Sequence, residues 1–201
     1  MDEPDLKAAA FVAQGLKPIP AAITTRAGER DNGLMSLSLA PGGIVPEAPR
    51  VTVSITKYNF SHDLIATSGV FVAHVLGNAP EIIDTSMRIF MTLGGSSGRD
   101  GDKLGALDTK RGVTGAPILT GALAYLECRV VRSLDADENT LFLADVVAAE
   151  RQHAGGKLTV GEAWGKLPPE WIAQYEANHH PQEDHCRVMR GLAPRYDGAS
   201  A

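Results

Sequence analysis

Two β-prone runs, Ala122 to Arg132 and Thr140 to Ala149, flank the polar segment Leu134-Asp135-Ala136-Asp137-Glu138-Asn139. Long apolar arms around a turn of this composition predict an extended antiparallel hairpin. That hairpin commits the chain to a closed or nearly closed antiparallel sheet. The remaining β-prone segments fit such a sheet. Val51, Val53 and Ile55 alternate with Thr52, Ser54 and Thr56, the period of a half-buried strand. Ile19–Arg26, Leu34–Leu39 and Val70–Leu76 supply further strands. The first two are joined across residues 27–33, where Gly28, Asn32 and Gly33 provide residues suited to positive φ.

Helices are spaced among these strands. Leu6–Leu16 reads as an Ala-rich leading helix stopped by Gly15, Pro18 and Pro20. Ser61 is placed as an N-cap, with Asp63 in the first turn and Gly69 as C-cap of a two-turn helix. From Pro80 to Leu93, Ile82, Ile83, Ser86, Met87, Phe90 and Leu93 fall on one helical face. A short helix is expected at Asp102–Leu107 and another at Glu170–Ala177. Helices inserted among antiparallel strands favour an α+β, mainly β architecture with a barrel core over an alternating parallel sheet. Composition shifts after Glu150, which divides the chain into a domain over residues 1–152 and an extension over 153–201. The extension is expected to pack on the barrel or on a partner copy.

Several functions are excluded by what the 201 residues contain. A net charge of −5 and the lack of a basic stripe argue against nucleic acid. No apolar run reaches membrane-spanning length and the acidic start is unlike a signal peptide, so a cytoplasmic protein without membrane contact is expected. Cys128 and Cys186 are too sparse for a disulfide framework and are read as free thiols. Gly94–Lys103 lacks the Gly-Lys-Ser/Thr ending of a phosphate loop, and no Gly-x-Gly-x-x-Gly follows a strand. Ser61-His62-Asp63 cannot relay a proton in line, because consecutive helical residues point about 100° apart. His179, His180, His185 and Cys186 match no common zinc spacing and read as a solvated tail.

What remains is an ordered series of short segments: Ile23-Thr24-Thr25-Arg26 with Asn32-Gly33, Val53-Ser54-Ile55, Ser61-His62-Asp63-Leu64-Ile65 with Ser68-Gly69-Val70-Phe71-Val72, Ser97-Gly98-Arg99-Asp100 with Asp102-Lys103, and Gly121 to Cys128 leading to Thr140-Leu141-Phe142. In this order and at these separations they resemble the flavin reductase-like family of FMN-binding split barrels, over about Ile19 to Gln152. The resemblance implies a homodimer of six-stranded split barrels that holds FMN near the subunit interface. It also implies reduction of flavin by NADH or NADPH, with a flavin-accepting oxygenase as a partner.

The residues make physical sense of that implication. A phosphate needs donors and positive charge, and a helix start supplies free N–H groups. Asn59, Ser61 and the N–H groups of His62 and Asp63 are the candidate donors, with Lys57, Arg99 and Lys103 as cations. The strand Leu34-Met35-Ser36-Leu37-Ser38, preceded by Asn32, corresponds to the family's ring-contacting strand. Met35 and the Pro41–Pro49 loop differ from the common pattern there. His62 is the candidate polar residue beside flavin or nicotinamide; direct hydride transfer requires no side-chain base. Two other readings stay open: an FMN carrier or sensor without turnover, and a split barrel that uses another flat cofactor such as a deazaflavin or haem.

Overall fold

The structure, a computed structural model, describes residues 19–196, so the leading helix expected at Leu6–Leu16 lies outside the described residues. Nine strands are described: β1 (Ala21–Ala27), β2 (Arg30–Ser36), β3 (Ala40–Pro41), β4 (Arg50–Thr56), β5 (Val70–Val75), β6 (Thr109–Arg111), β7 (Pro117–Leu119), β8 (Ala124–Ala136) and β9 (Asn139–Arg151). Four helices accompany them: α1 (Phe60–Ser68), α2 (Ile83–Gly94), α3 (Val160–Trp164) and α4 (Pro169–Met189). The main sheet is antiparallel, in the order β2-β1-β5-β8-β9-β4-β3, and β6 pairs with β7 separately.

The mainly β class agrees with expectation, but the main sheet has seven strands rather than six. The additional one is β3, which pairs Ala40 with Thr52 and Pro41 with Val51. Proline is tolerated there because an edge strand needs no outward donor. At the opposite end of the strand order, Ser38 follows β2 and fastens it to β4. Its Oγ donates to the Ser54 carbonyl (2.7 Å) and accepts from the Ser54 N–H (3.0 Å), which brings the two ends of the sheet together.

The β8–β9 hairpin turns at Asp137-Glu138, with Asp137 at φ 58° and its N–H donating to Asp135 Oδ1 at 3.0 Å. The β1–β2 turn is tighter than the sequence suggests, since Gly28-Glu29 makes it and Gly28 alone carries a positive φ, 57°. Asn32 and Gly33 therefore lie inside β2, opposite Thr25 and Thr24. Gly33 serves packing instead: a Cβ there would sit 3.0 Å from a Leu93 methyl and 3.2 Å from the Ile23 carbonyl oxygen.

The apolar residues form two main layers. Ile23, Leu34, Val53, Ile55, Ile65, Phe71 and Phe142 fill the barrel interior. On the outer face, Ala22 and Leu76 meet Met87, Ile89, Phe90 and Leu93 of α2, extended by Leu158, Ala163 and Leu167. The α2 face matches the periodicity of the sequence. Asp102–Leu107, by contrast, is not helical; Asp102 Oδ1 accepts from the N–H groups of Leu104 (2.9 Å) and Gly105 (3.1 Å), a local turn that competes with helix. The final helix continues well past Ala177, through Pro181 to Met189, with no buried residue. Among the described residues no helix is long and apolar enough to cross a membrane.

His74 pins three strands together. Its Nδ1–H donates to the Ala22 carbonyl and its Nε2 accepts from the Leu119 N–H, each at 3.0 Å, which fixes the neutral tautomer. Burial pulls its pKa from 6.5 down to about 4. Above pH 6.5 the ring is neutral in folded and unfolded chains alike; below it, the unfolded chain takes up a proton that the folded chain refuses. Stability should therefore fall on acidification from about pH 6.5 to pH 4, by on the order of 3 kcal/mol from this residue. The His74 ring resonances should titrate near pH 4, and a midpoint near 6.5 would contradict this assignment. Ser38→Ala should cost about 1 kcal/mol in urea unfolding, since water reaches the freed groups, and should speed hydrogen exchange at the Ser54 amide.

Candidate functional site

The candidate residues gather around the first turn of α1, where β4 hands the chain to the helix. Asn59, rather than Ser61, is the N-cap; its backbone is extended (φ −75°, ψ 130°) and its side chain makes no capping hydrogen bond. Ser61 is one residue inside the helix and points into the protein. Its Oγ accepts from Asn32 Nδ2 at 2.9 Å, and both residues are almost completely buried. Gly98 packs directly on this pair: a Cβ at that position would fall 2.1 Å from Asn32 Oδ1. One buried amide thus joins β2, α1 and the loop that carries Arg99.

Arg99 lies over the same turn. Its guanidinium pairs with Asp63 at 3.2 Å and sits 5.4 Å from the centre of the Phe60 ring. Ser97 Oγ accepts from the Arg99 N–H at 3.1 Å, which shapes the loop. Lys103 stands behind it. Its ammonium donates to the carbonyls of Leu93 (2.8 Å) and Ser96 (2.7 Å), closing the C-terminal end of α2, and burial lowers its pKa to about 8. Lys103 is thereby directed at the backbone carbonyls that end α2.

On the other side of α1, His62 faces the β8–β9 hairpin. Its Nε2 contacts Thr140 Oγ1 at 2.8 Å, its Nδ1 contacts Asp63 Oδ1 at 3.2 Å, and its ring lies 5.9 Å from that of Phe142. These contacts hold the ring between the first turn of α1 and the β8–β9 hairpin. Lys57, His62, Ser133, Asp135, Thr140 and Phe142 line a cavity of about 350 Å³. Lys57 is paired with Asp135 at 2.6 Å, and this lysine holds the Asp135 carboxyl below its ordinary pKa.

The strand expected to contact a ring divides between faces. Leu34 enters the barrel interior, whereas Met35 packs with Trp171 of α4 beside Gly94. Ser36 Oγ lies 2.9 Å from Ser38 Oγ, so the two serines and Ser54 form a continuous polar strip along the β2–β4 seam. The structure therefore brings together Asn32, Asn59, Ser61 and Arg99 at one end of α1, and Lys57 with His62 at its outer side. Ser36 and Ser38 lie on the seam, and Lys103 lies behind the Arg99 loop.

Sequence reasoning passed over Arg30, Phe60, Thr140 and Asp135 as site residues. Arg30 Cζ lies 4.8 Å from the Phe60 ring centre. Thr140 stands opposite Ile55 in β9, and only the strand register brings it to His62. Among the described residues no group of three or more His, Cys, Asp or Glu side chains is arranged to hold a metal ion.

Comparison with known proteins gives this geometry a context. Residues 18–161 match the family described as the flavin reductase like domain. A high molecular weight rubredoxin from Moorella thermoacetica is 30% identical over 128 residues, covering 63% of this chain and 53% of the relative, so the chain spans about half of that protein. An NADH-dependent FAD reductase from Streptomyces globisporus is 26% identical over 155 residues, covering 76% of this chain and 81% of the relative. Among solved structures, an FMN-binding protein from Thermus thermophilus with bound p-hydroxybenzaldehyde superposes with a TM-score of 0.57 at 28% identity, over 68% of this chain and 74% of that one. The matched residues run through the whole main sheet, both sides of α1 and the Arg99 loop: this chain belongs to the flavin reductase like domain family.

Proposed function

We propose that this chain binds FMN and reduces flavin with NADH or NADPH, the reduced flavin serving an acceptor such as a flavin-accepting oxygenase. The observation that carries this reading is the first turn of α1, a helix start without a side-chain cap and with Arg99 fixed beside it. Such a turn offers the N–H groups of its first residues and the donors of the Arg99 guanidinium to a phosphate, whereas the His62 N–H expected among them is taken by the Asn59 carbonyl at 2.9 Å. Asn59 stands at its edge. Asn32 and Ser61 lie beneath it and hold its position, while Lys103 supports the Arg99 loop from behind. The donor chemistry therefore fits a flavin phosphate.

The strip from Leu34 to Ser38 is assigned to the ring. Ser36 and Ser38 contribute polar atoms there, while Met35, on the other face of the strand, packs with Trp171. Lys57 and His62, on the cavity side, are assigned to polar edges of the flavin or nicotinamide. When bound, the flavin supplies the redox chemistry, taking a hydride from the nicotinamide. The protein's task is to orient the two and to exclude water, so no side-chain base is required. A homodimer is part of the same reading, and the loop after β3, where Ile44 is 97% exposed, is the apolar surface that favours it.

An absorption spectrum of the chain with FMN, followed anaerobically by NADH and then NADPH, tests the reading. A bound-flavin spectrum that bleaches with one nucleotide supports it. Binding without bleaching would favour a carrier or sensor, and no binding would overturn the flavin assignment. Arg99→Gln should weaken FMN by about 10-fold or more while changing riboflavin, which lacks the phosphate, less than about 2-fold. Equal weakening of both ligands would place the phosphate elsewhere.

A further inference from the structure

Arg30 and Arg99 reach the same aromatic ring from different elements. Their Cζ atoms lie 4.8 Å and 5.4 Å from the centre of Phe60, the first residue of α1. The acids around them are unequally shared. Asp63 pairs with Arg99 at 3.2 Å. Glu29 and Asp31, the two sequence neighbours of Arg30, are engaged by other arginines: Glu29 by Arg26 at 3.5 Å, and Asp31 by both Arg26 and Arg111. Among the described residues no carboxylate pairs with Arg30, which is exposed and held by the phenyl ring. Four arginines thus share three carboxylates, and the surplus charge resides at Arg30.

This arrangement is built rather than incidental. The Arg30 backbone is held in β2 opposite Ala27, one residue beyond the tight Gly28-Glu29 turn. The Arg99 loop is fixed by Ser97, by Gly98 against Asn32, and by Lys103 through the Ser96 carbonyl. A planar guanidinium that stacks on an aromatic ring keeps its N–H edge free for phosphate oxygens and can offer its outer face to a base.

We propose that Arg30, Phe60 and Arg99 form a subsite for the adenosine-diphosphate half of a dinucleotide. In this subsite Arg30 meets the phosphate beyond the one assigned to the first turn of α1. The inference rests on that flavin-phosphate assignment and extends it from one phosphate to two. FAD and NAD(P)H both carry an adenosine-diphosphate group, so the ligand chemistry is shared and the experiment separates the sources.

The experiment is equilibrium binding of riboflavin, FMN, FAD and ADP to the full chain and to Arg30→Gln, together with KM for NADH. Arg30 is exposed, and Arg30→Gln should retain the unfolding midpoint of the parent chain. FAD and ADP should each weaken by about 10-fold in this variant, with FMN and riboflavin changing less than about 2-fold. A rise in KM for NADH with FAD unchanged and ADP weakened would also support the subsite and assign it to the nicotinamide donor. Unchanged ADP, FAD and NADH values, or an equal loss for FMN and FAD, would overturn it. Failure of every flavin to bind the parent chain would instead overturn the flavin reading, and ADP would still report on Arg30.

Discussion

The hydrogen bond from Asn32 to Ser61 is the joint on which the candidate site depends. Both groups are nearly inaccessible to water, so each would be left unsatisfied without the other, at a cost of about 1–3 kcal/mol. The bond forces β2 and the first turn of α1 into one register. Gly98 can approach the amide only because it has no side chain, which brings the third segment, and with it Arg99, to the same point. A change in any of these three residues would move a charged group that is several residues away in the chain. The uncharged pair therefore sets the geometry, and the arginines supply the field.

That field is local. The chain as a whole is acidic, yet the edge formed by Arg26, Arg30, Arg99 and Arg111 draws basic residues from β1, β2, β6 and the loop after α2. Salt bridges this exposed add little to stability. Their effect is on orientation, because they settle which guanidinium groups are neutralised and which keep their charge for an anion. The buried polar groups act differently. His74 is held neutral between two backbone partners, and the Cys128 thiol, pushed up to about 12 by burial, stays protonated and chemically quiet.

Periodicity in the sequence identified the elements whose packing is one-sided. Val51, Val53 and Ile55 point into the barrel as their alternation requires, and the α2 face predicted from Ile82 to Leu93 is the face that packs. Gly69 ends α1 in the left-handed conformation expected of a C-cap. Signals that depend on long-range partners are not legible in the local sequence. Asn32-Gly33 resembles a turn by composition, but its strand conformation is set by pairing with Thr25 and Thr24 and by the approach of Leu93. Ser61 resembles an N-cap because its buried partner, Asn32, is 29 residues away in sequence. Lys103 looked like a free cation, although nearby carbonyls claim it. A local signal also stands in the sequence: Thr159-Val160-Gly161-Glu162 spells a capping box, and the structure forms it at the start of α3.

The closure at Ser38 has a mechanical consequence. Elsewhere neighbouring strands are held by a ladder, in which separation at one rung loads the next. Between the ends of β2 and β4, two hydrogen bonds from a single hydroxyl do the holding, and both can be exchanged for water without disturbing any other strand pair. The ends of the sheet are thus joined by one hydroxyl on the seam and, just beyond β4, by the buried Asn32–Ser61 contact. Of the two, only the exposed Ser38 contact can trade its partners for water, so the seam yields there first while Asn32 keeps β2 on α1.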